Sequence, residues 1–141
     1  MIEIKECTLD DVSLLANMNQ LLIIDEKAEN TMDLPQLEGR MADFLMSEYS
    51  AFFFLSESAI IGYALCNMNK SPIYLRQFFI GREERRKGYG TQAFQCLLAY
   101  LKANELDIDV YVWNRAGIHF WDTLGFEQRF INMRYKNPDY R

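Results

Sequence analysis

The sequence predicts an α/β fold built on one mixed, strongly twisted sheet with helices on both faces, in the order β-α-α-β-β-β-α-β-α-β. Three features carry that prediction. Apolar runs rich in aromatic and β-branched residues alternate with stretches whose apolar residues recur every three or four positions, the patterns of strands and of amphipathic helices. The polar stretch Ser56-Glu57-Ser58 separates two of the apolar runs at hairpin spacing. The aromatic run at 73–80 is followed at once by a basic, glycine-rich turn and then by a helical pattern, the layout of an α/β domain.

Taken in order, "MIEIKEC" alternates and reads as a strand. Thr8 then offers a capping hydroxyl, and Asp10 and Asp11 place acids in a first helical turn. Leu9, Val12, Leu15, Met18 and Leu22 follow at helical spacing, predicting a helix to about Ile24. Asp33 caps a second helix whose first turn tolerates Pro35 and whose apolar stripe is Leu34, Leu37, Met41, Phe44 and Leu45. "SAFFFL" and "AIIGYALCNM" form the hairpin, and "IYLRQFFI" (73–80) reads as a central strand. A helix is predicted from Tyr89 to Asn104 with Ala93, Phe94, Leu97, Leu98 and Leu101 inward. "DIDVYVW" (107–113) reads as a strand, 115–124 as a short helix ending at Gly125, and "EQRFINMRYK" (127–136) as a last alternating strand.

Length and composition bound the function. The chain has 141 residues, half of them apolar, which suits one domain over 1–141 with a single sizeable core. Net charge is -5, so a nucleic-acid binder relying on general phosphate attraction would work against its own field. The charge is uneven: residues 1–70 hold 12 acids and 4 bases, while 71–141 hold 8 acids and 11 bases. One half favours a cation and the other an anion. Cys7, Cys66 and Cys96 are an odd, widely spaced set, and no apolar run approaches 18 residues, so a soluble, reducing, cytoplasmic setting is expected. With His119 as the one histidine and no Cys-x-x-Cys pair, no metal site is expected.

The chemistry concentrates in "GREERRKGYG" (81–90), which holds four cations and three glycines in ten residues. A helix that opens directly after a glycine-rich turn presents backbone N–H groups lacking intrahelical partners, a ready site for an anion. Gly88 and Gly90 let a phosphate approach the main chain, and Arg85, Arg86 and Lys87 add charge around it. There is no Gly-Lys-Ser/Thr ending and no Gly-x-Gly-x-x-Gly, so neither familiar nucleotide loop is present and some other phosphate-bearing ligand is indicated.

Arg85-Arg86-Lys87-Gly88-Tyr89-Gly90 resembles the phosphate loop, Arg/Gln-x-x-Gly-x-Gly/Ala, of the GNAT superfamily of N-acetyltransferases. "NRAGIHFWDTLGF" (114–126) resembles that family's second motif at Asn114, Ala116, Gly125 and Phe126, with Phe120 in the aromatic slot. The likeness covers about 59–135 closely and the first 58 residues only in their β-α-α-β outline. It implies the acyl-CoA N-acyltransferase fold and acetyl-CoA as co-substrate, its pyrophosphate over the backbone of Arg85 to Thr91. The pantetheine arm would run along Phe78, Phe79 and Ile80 like an added strand, with Asn114 and the helix after it on the other side. The implied partners are coenzyme A and a small-molecule amine, with neither nucleic acid nor membrane, and a homodimer is left open.

Acetyl transfer to an amine needs a neutral amine, a polarised thioester carbonyl and a proton for the departing thiolate. An alkyl amine of pKa about 10.4 is only about 0.1% neutral at pH 7.4, a deficit of roughly 4 kcal/mol unless a base removes the proton. The strand 73–80 carries no carboxylate, so the candidates are Asp25 and Glu26 at the end of the first helix, in the segment that lines the acceptor pocket of the fold this resembles. Glu26 is favoured as base or acceptor-binding group; the plainer alternative is a solvated helix end. Where relatives commonly carry an acidic tyrosine stands Trp121, whose indole donates a hydrogen bond but is no useful acid. Tyr89, Tyr111, Tyr135 or water are left as proton donors. Phe120 and Trp121 read as core or pocket wall rather than chemistry, Cys96 as a small buried hydrophobe and His119 as a partly exposed helix residue. The expected function is acetyl transfer to an amine, favouring small cationic acceptors; the alternative is a non-catalytic acyl-CoA-binding domain of the same fold.

Overall fold

The computed structural model describes residues 1–140. Strand β1 (Ile2–Glu6) pairs antiparallel with β2 (Tyr49–Ser56), from Ile2 opposite Ser56 to Glu6 opposite Phe52. Thr8 starts the next element as its sequence implies: its hydroxyl accepts from the Asp10 N–H at 3.2 Å, and its own N–H donates to the Asp11 carboxylate at 2.8 Å. One 3-10 turn, Leu9–Asp11, leads into α1 (Val12–Glu26), which buries Leu15, Met18 and Leu22 and stops where Lys27 turns left-handed. Helix α2 (Leu34–Leu45) opens on a reciprocal cap, Asp33 to Gln36 and back, at 2.9 Å each way, with Pro35 in the first turn.

β2 and β3 (Ala59–Asn67) form the hairpin, with Glu57 and Ser58 both at positive φ in a two-residue turn that matches the strand twist. β4 (Ile73–Ile80) pairs antiparallel with β3, and β5 (Leu106–Asp107) joins parallel to β4. The five strands lie in sequence order. Helix α3 (Tyr89–Leu101) covers one face, packing Phe94 and Leu97 over Phe52, Phe54 and Ala64; α1 and α2 cover the other, over Phe53, Tyr63, Leu65 and Phe79. Helix α4 (Arg115–Thr123) packs Trp121 onto the α3 side.

The joint between β4 and β5 creates the site. They pair only at Ile73 with Leu106 and Tyr74 with Asp107, then diverge. From Leu75 to Ile80 the β4 main chain therefore has no strand neighbour on that side, and α4 stands across the gap. Gly62 holds the opposite side of β4 close: a Cβ there would lie 2.0 Å from the Phe79 carbonyl oxygen, which the backbone cannot accommodate without moving. Gly62→Ala is therefore expected to cost about 1–3 kcal/mol, as other overpacked sites do, read as a lowered Tm in thermal unfolding. An unchanged Tm would show that β3 and β4 are not held this tightly.

Two expected strands need correction. The strand over 107–113 is realised only as Leu106–Asp107, and 127–136 forms no strand. Alternation marks which side chains could face a core, but a strand also needs a neighbour to complete its ladder. Once β4 and β5 separate, neither segment has one among the described residues. The third helix ends at Leu101, not Asn104, because Lys102 adopts the left-handed conformation. The basic turn is more ordered than a bare loop, with Arg82–Lys87 forming 3-10 turns.

Candidate active site

A cavity of about 310 Å³ fills the gap between β4 and α4 and extends to the end of α1. Phe78, Phe79 and Ile80 line it from β4, and Arg85 and Gly90 line it from the basic turn and the start of α3. Asn114, Phe120 and Trp121 line it from the α4 side. Asp25 and Glu26 line it from the end of α1, and Arg76 and Asp109 line it as well. Of the expected coenzyme-binding residues, Phe78, Phe79, Ile80, Arg85, Gly90 and Asn114 share this cavity with Asp25 and Glu26, whereas Arg86, Lys87, Gly88, Tyr89 and Thr91 do not line it.

The turn into α3 has the features an anion needs. Gly88 sits at φ 76°, in the left-handed region, and no side chain caps the helix behind it. The first-turn amides of Tyr89, Gly90 and Thr91 thus point outward from a helix start with its partial positive charge. Gly90 leaves room for the Phe120 ring, which an ideal Cβ would approach to 3.1 Å. Arg86 is exposed, and Lys87 pairs with Glu84 at 3.2 Å.

Arg85 faces inward. Its Nε donates to the Ile80 carbonyl at 2.8 Å, its guanidinium lies 5.6 Å from the Phe79 ring centre, and its Nη2 donates to Asp25. Arg82 holds the same carboxylate through Nε at 2.9 Å and Nη2 at 2.6 Å. Asp25 therefore ties the end of α1 to the basic turn.

This arrangement separates the two neighbouring carboxyls. Burial pushes Asp25 upward, but its bonds to Arg85 and Arg82 outweigh that and hold it below its ordinary pKa. Glu26 has no such partner. Burial, and next the Asp25 charge, raise it above the ordinary glutamate range. Two adjacent carboxyls pushed apart by their surroundings are suited to different tasks, a fixed anion and a proton acceptor.

Three features escaped the sequence reading. Asp109 is a third carboxylate at the cavity, accepting from the Tyr74 hydroxyl at 2.9 Å; its place within a strand-like run hid it. Trp113 donates its indole N–H to the Glu26 carbonyl at 3.1 Å, fixing the end of α1 to the far wall. Arg82, one of the four cations of the basic turn, is a partner of Asp25. Asn114 lines the cavity while capping α4, its Oδ1 accepting from the Gly117 N–H at 3.0 Å.

Trp121 stands in the wall with its ring 5.1 Å from Phe78 and 5.6 Å from Phe94. The three tyrosines considered as acids lie elsewhere. Tyr89 packs on the core at the start of α3, Tyr111 stacks on Trp113 at 4.6 Å, and Tyr135 is exposed. Among the described residues no tyrosine lines the cavity. Cys7 and Cys66 are buried thiols pushed up to about 12, chiefly by burial, and Cys96 is half-buried, its Sγ 3.5 Å from the Ile2 carbonyl.

An uncapped helix start, a glycine in the left-handed region and an unpaired stretch of β4 together fit a ligand with a diphosphate at one end and an extended amide arm behind it. The sequence matches the Acetyltransferase (GNAT) family over residues 17–126, and the chain belongs to that family. No curated protein matches the sequence. Among solved structures, it is similar to a possible acetyltransferase from Clostridium difficile 630, at 16% identity and TM-score 0.76 over 99% of each chain. It is also similar to the aminoglycoside N-acetyltransferase AAC(6')-Iy in complex with CoA, at 16% identity and TM-score 0.72 over 98% of this chain and 95% of that one. A predicted acetyltransferase from Clostridium acetobutylicum, with acetyl-CoA, matches at 16% identity and TM-score 0.70 over 96% of each. At such identity these likenesses speak for the fold.

Proposed function

We propose that residues 1–141 act as one acetyl-CoA-dependent N-acetyltransferase domain, cytoplasmic in setting, that acetylates a small cationic amine. The observation that carries this reading is the single cavity joining the anion-receptive start of α3 to the carboxylates at the end of α1. Support for the coenzyme comes from two structural neighbours, one solved with CoA and the other with acetyl-CoA. Support for a polycationic acceptor comes from AAC(6')-Iy solved with a bisubstrate analogue of CoA and acetylneamine.

When bound, acetyl-CoA supplies an activated acetyl thioester. The chain's own parts follow from position. The amides of Gly88 to Thr91, with Arg85, Arg86 and Lys87 around them, hold the diphosphate. Main-chain groups of Phe78, Phe79 and Ile80 on the unpaired side of β4 hold the arm, and an N–H there polarises the acyl carbonyl. Asn114 fixes the start of α4 against it. Asp25, its charge taken up by Arg82 and Arg85, positions the end of α1. Glu26 takes a proton from the acceptor ammonium, directly or through one water. With Trp121 in the wall and no tyrosine lining the cavity, solvent supplies the proton the departing thiol requires.

That same wall is the observation favouring a second reading, a domain that binds acyl-CoA without turnover. Incubating the protein with acetyl-CoA and a panel of polyamines, aminoglycosides and amino acids, followed by mass spectrometry, separates the two. Acetylated product with a cationic member is expected. Tight coenzyme binding with no product from any acceptor would favour the second reading, and no coenzyme binding would defeat both.

A further inference from the structure

We propose that the acceptor carries an acidic group beside its amine, as a basic amino acid does, and that Arg76 is the residue that takes that group. The inference rests on the transfer reading above and narrows it, since a basic amino acid stays cationic while bringing one carboxylate. A break in the β3–β4 register aims Arg76 at the site. Leu65 stands opposite Gln77 and Cys66 opposite Leu75, so Arg76 is the extra residue of a bulge. Gln77 and Phe79 face the α1/α2 side, where the Tyr63 hydroxyl donates to Gln77 Oε1 at 2.7 Å and Phe79 joins the same buried cluster. Simple alternation would turn Arg76 to the opposite face. It lies instead against Phe44 of α2 and Tyr49 of β2, its guanidinium 5.0 Å and 5.9 Å from their ring centres, with Nη1 donating to the Tyr49 hydroxyl at 3.3 Å. A guanidinium stacked on aromatic faces is already oriented, and loses little further freedom when it engages a planar anion in a forked pair.

No acid within the fold takes up that charge. Among the described residues the ion pairs are Asp25 with Arg82 and Arg85, Glu84 with Lys87, and Glu29 with Arg134. Arg76 is in none of them, although it lines the cavity. Arg40 lies against the same Phe44 ring, 5.4 Å from its centre, and it too has no acid partner among the described residues. Its Nη2 donates to Asn19 Oδ1 at 2.9 Å, and its Nε is buried without a partner. Burial first, and then the charge of Arg76, hold Arg40 below the ordinary arginine pKa. Two guanidiniums thus share one ring with no acid to balance either, and an anion on the cavity side relieves both.

The remaining charges of the cavity complete the pattern. With the Asp25 carboxylate taken up by Arg82 and Arg85, Glu26 and Asp109 are the lining carboxyls without a basic partner, and Arg76 is the lining guanidinium without an acidic one. A purely cationic amine suits the first two and is repelled by the third. An amine that also bears a carboxylate suits all three, and that difference is a basis for choosing between acceptors.

Matched acids and amides test this: lysine against lysinamide and ornithine against ornithinamide, each assayed for kcat/KM with acetyl-CoA in the wild type and in Arg76→Gln. Amidation also alters the neighbouring amine, so the readout is the acid-to-amide ratio compared between the two proteins, in which that effect cancels. The ratio is expected to fall at least about tenfold in the variant for one pair or both, as the loss of a charge-assisted hydrogen bond implies, mainly through a higher KM for the acid. A ratio unchanged in both pairs overturns the proposal. Should none of the four be acetylated, calorimetric titration of the same compounds into the protein with coenzyme A present decides. Acid binding that Arg76→Gln weakens about tenfold relative to the amide supports the anion subsite while counting against transfer. No such difference, or no binding of either acid, overturns the subsite even where the coenzyme binds. Arg76 is exposed, so the variant should fold; if it does not, Arg76→Met, which keeps an apolar contact with Phe44 and Tyr49, is read by the same criteria.

Discussion

Gly88→Asp is expected to abolish useful coenzyme affinity while leaving the protein folded. Gly88 precedes α3 at φ 76°, a conformation that costs a non-glycine residue roughly 1–2 kcal/mol, with aspartate among the better-tolerated exceptions. An acid at a helix start is also favoured by the helix dipole, so most of that strain is offset. What the variant cannot accommodate is a second anion. Its carboxylate stands where the diphosphate is proposed to lie and engages the same amides. Each charge-assisted hydrogen bond lost is worth about 1.5–3 kcal/mol, so calorimetric titration with coenzyme A should show affinity falling by roughly ten- to a hundredfold or more. Gly88→Ala introduces the strain without the charge and should retain most binding. Gly90→Val should also lose affinity, because its side chain drives the Phe120 ring, 3.1 Å from an ideal Cβ, out of the cavity wall. Unchanged affinity in the aspartate and valine variants, with native melting curves, would contradict the assignment of this corner.

The second large effect is expected at Glu26. Glu26→Gln keeps the volume and hydrogen-bonding reach but removes the proton acceptor, so kcat/KM for the amine should fall by about 10²–10⁴, the usual contribution of a general base. Coenzyme affinity should change little, because it is Asp25 and not Glu26 whose carboxylate is bonded to the basic turn. The pH dependence has a definite sign. Burial and the neighbouring Asp25 charge favour the neutral carboxylic acid, so Glu26 loses its proton above the ordinary glutamate range, and wild-type activity should fall as pH drops through that raised value. The glutamine variant should lack that limb. Stability runs the other way. A carboxyl whose pKa is raised on folding opposes folding once the pH exceeds it, so Glu26→Gln should melt slightly higher at neutral pH. A variant with wild-type kcat/KM and an unaltered pH profile would return Glu26 to the role of a surface acid.

Much of this was legible in local sequence. The caps at Thr8 and Asp33, the hairpin turn at Glu57-Ser58 and the glycine before α3 are short-range devices whose geometry follows from a few neighbouring residues. The wall that runs from β4 through the basic turn to α3 was legible for the same reason, since a strand, a glycine turn and a helix are consecutive in the chain. The failures were long-range. "DIDVYVW" and "EQRFINMRYK" have strand composition, but composition cannot report that β5 leaves β4 after Asp107 and strands both segments without a neighbour. The clamp of Asp25 by Arg82 and Arg85 joins positions 57 and 60 residues apart, and the Trp113 bond to Glu26 spans 87. Such contacts decide which carboxyl is a fixed anion and which is free to accept a proton, and no periodicity records them.

The most direct test is a crystal structure with coenzyme A bound. The diphosphate is expected on the main-chain amides of Gly88 to Thr91, with the thiol end pointing along Ile80 and Phe79 toward Glu26. A diphosphate lodged elsewhere on the protein, with those amides bound to solvent, would contradict it.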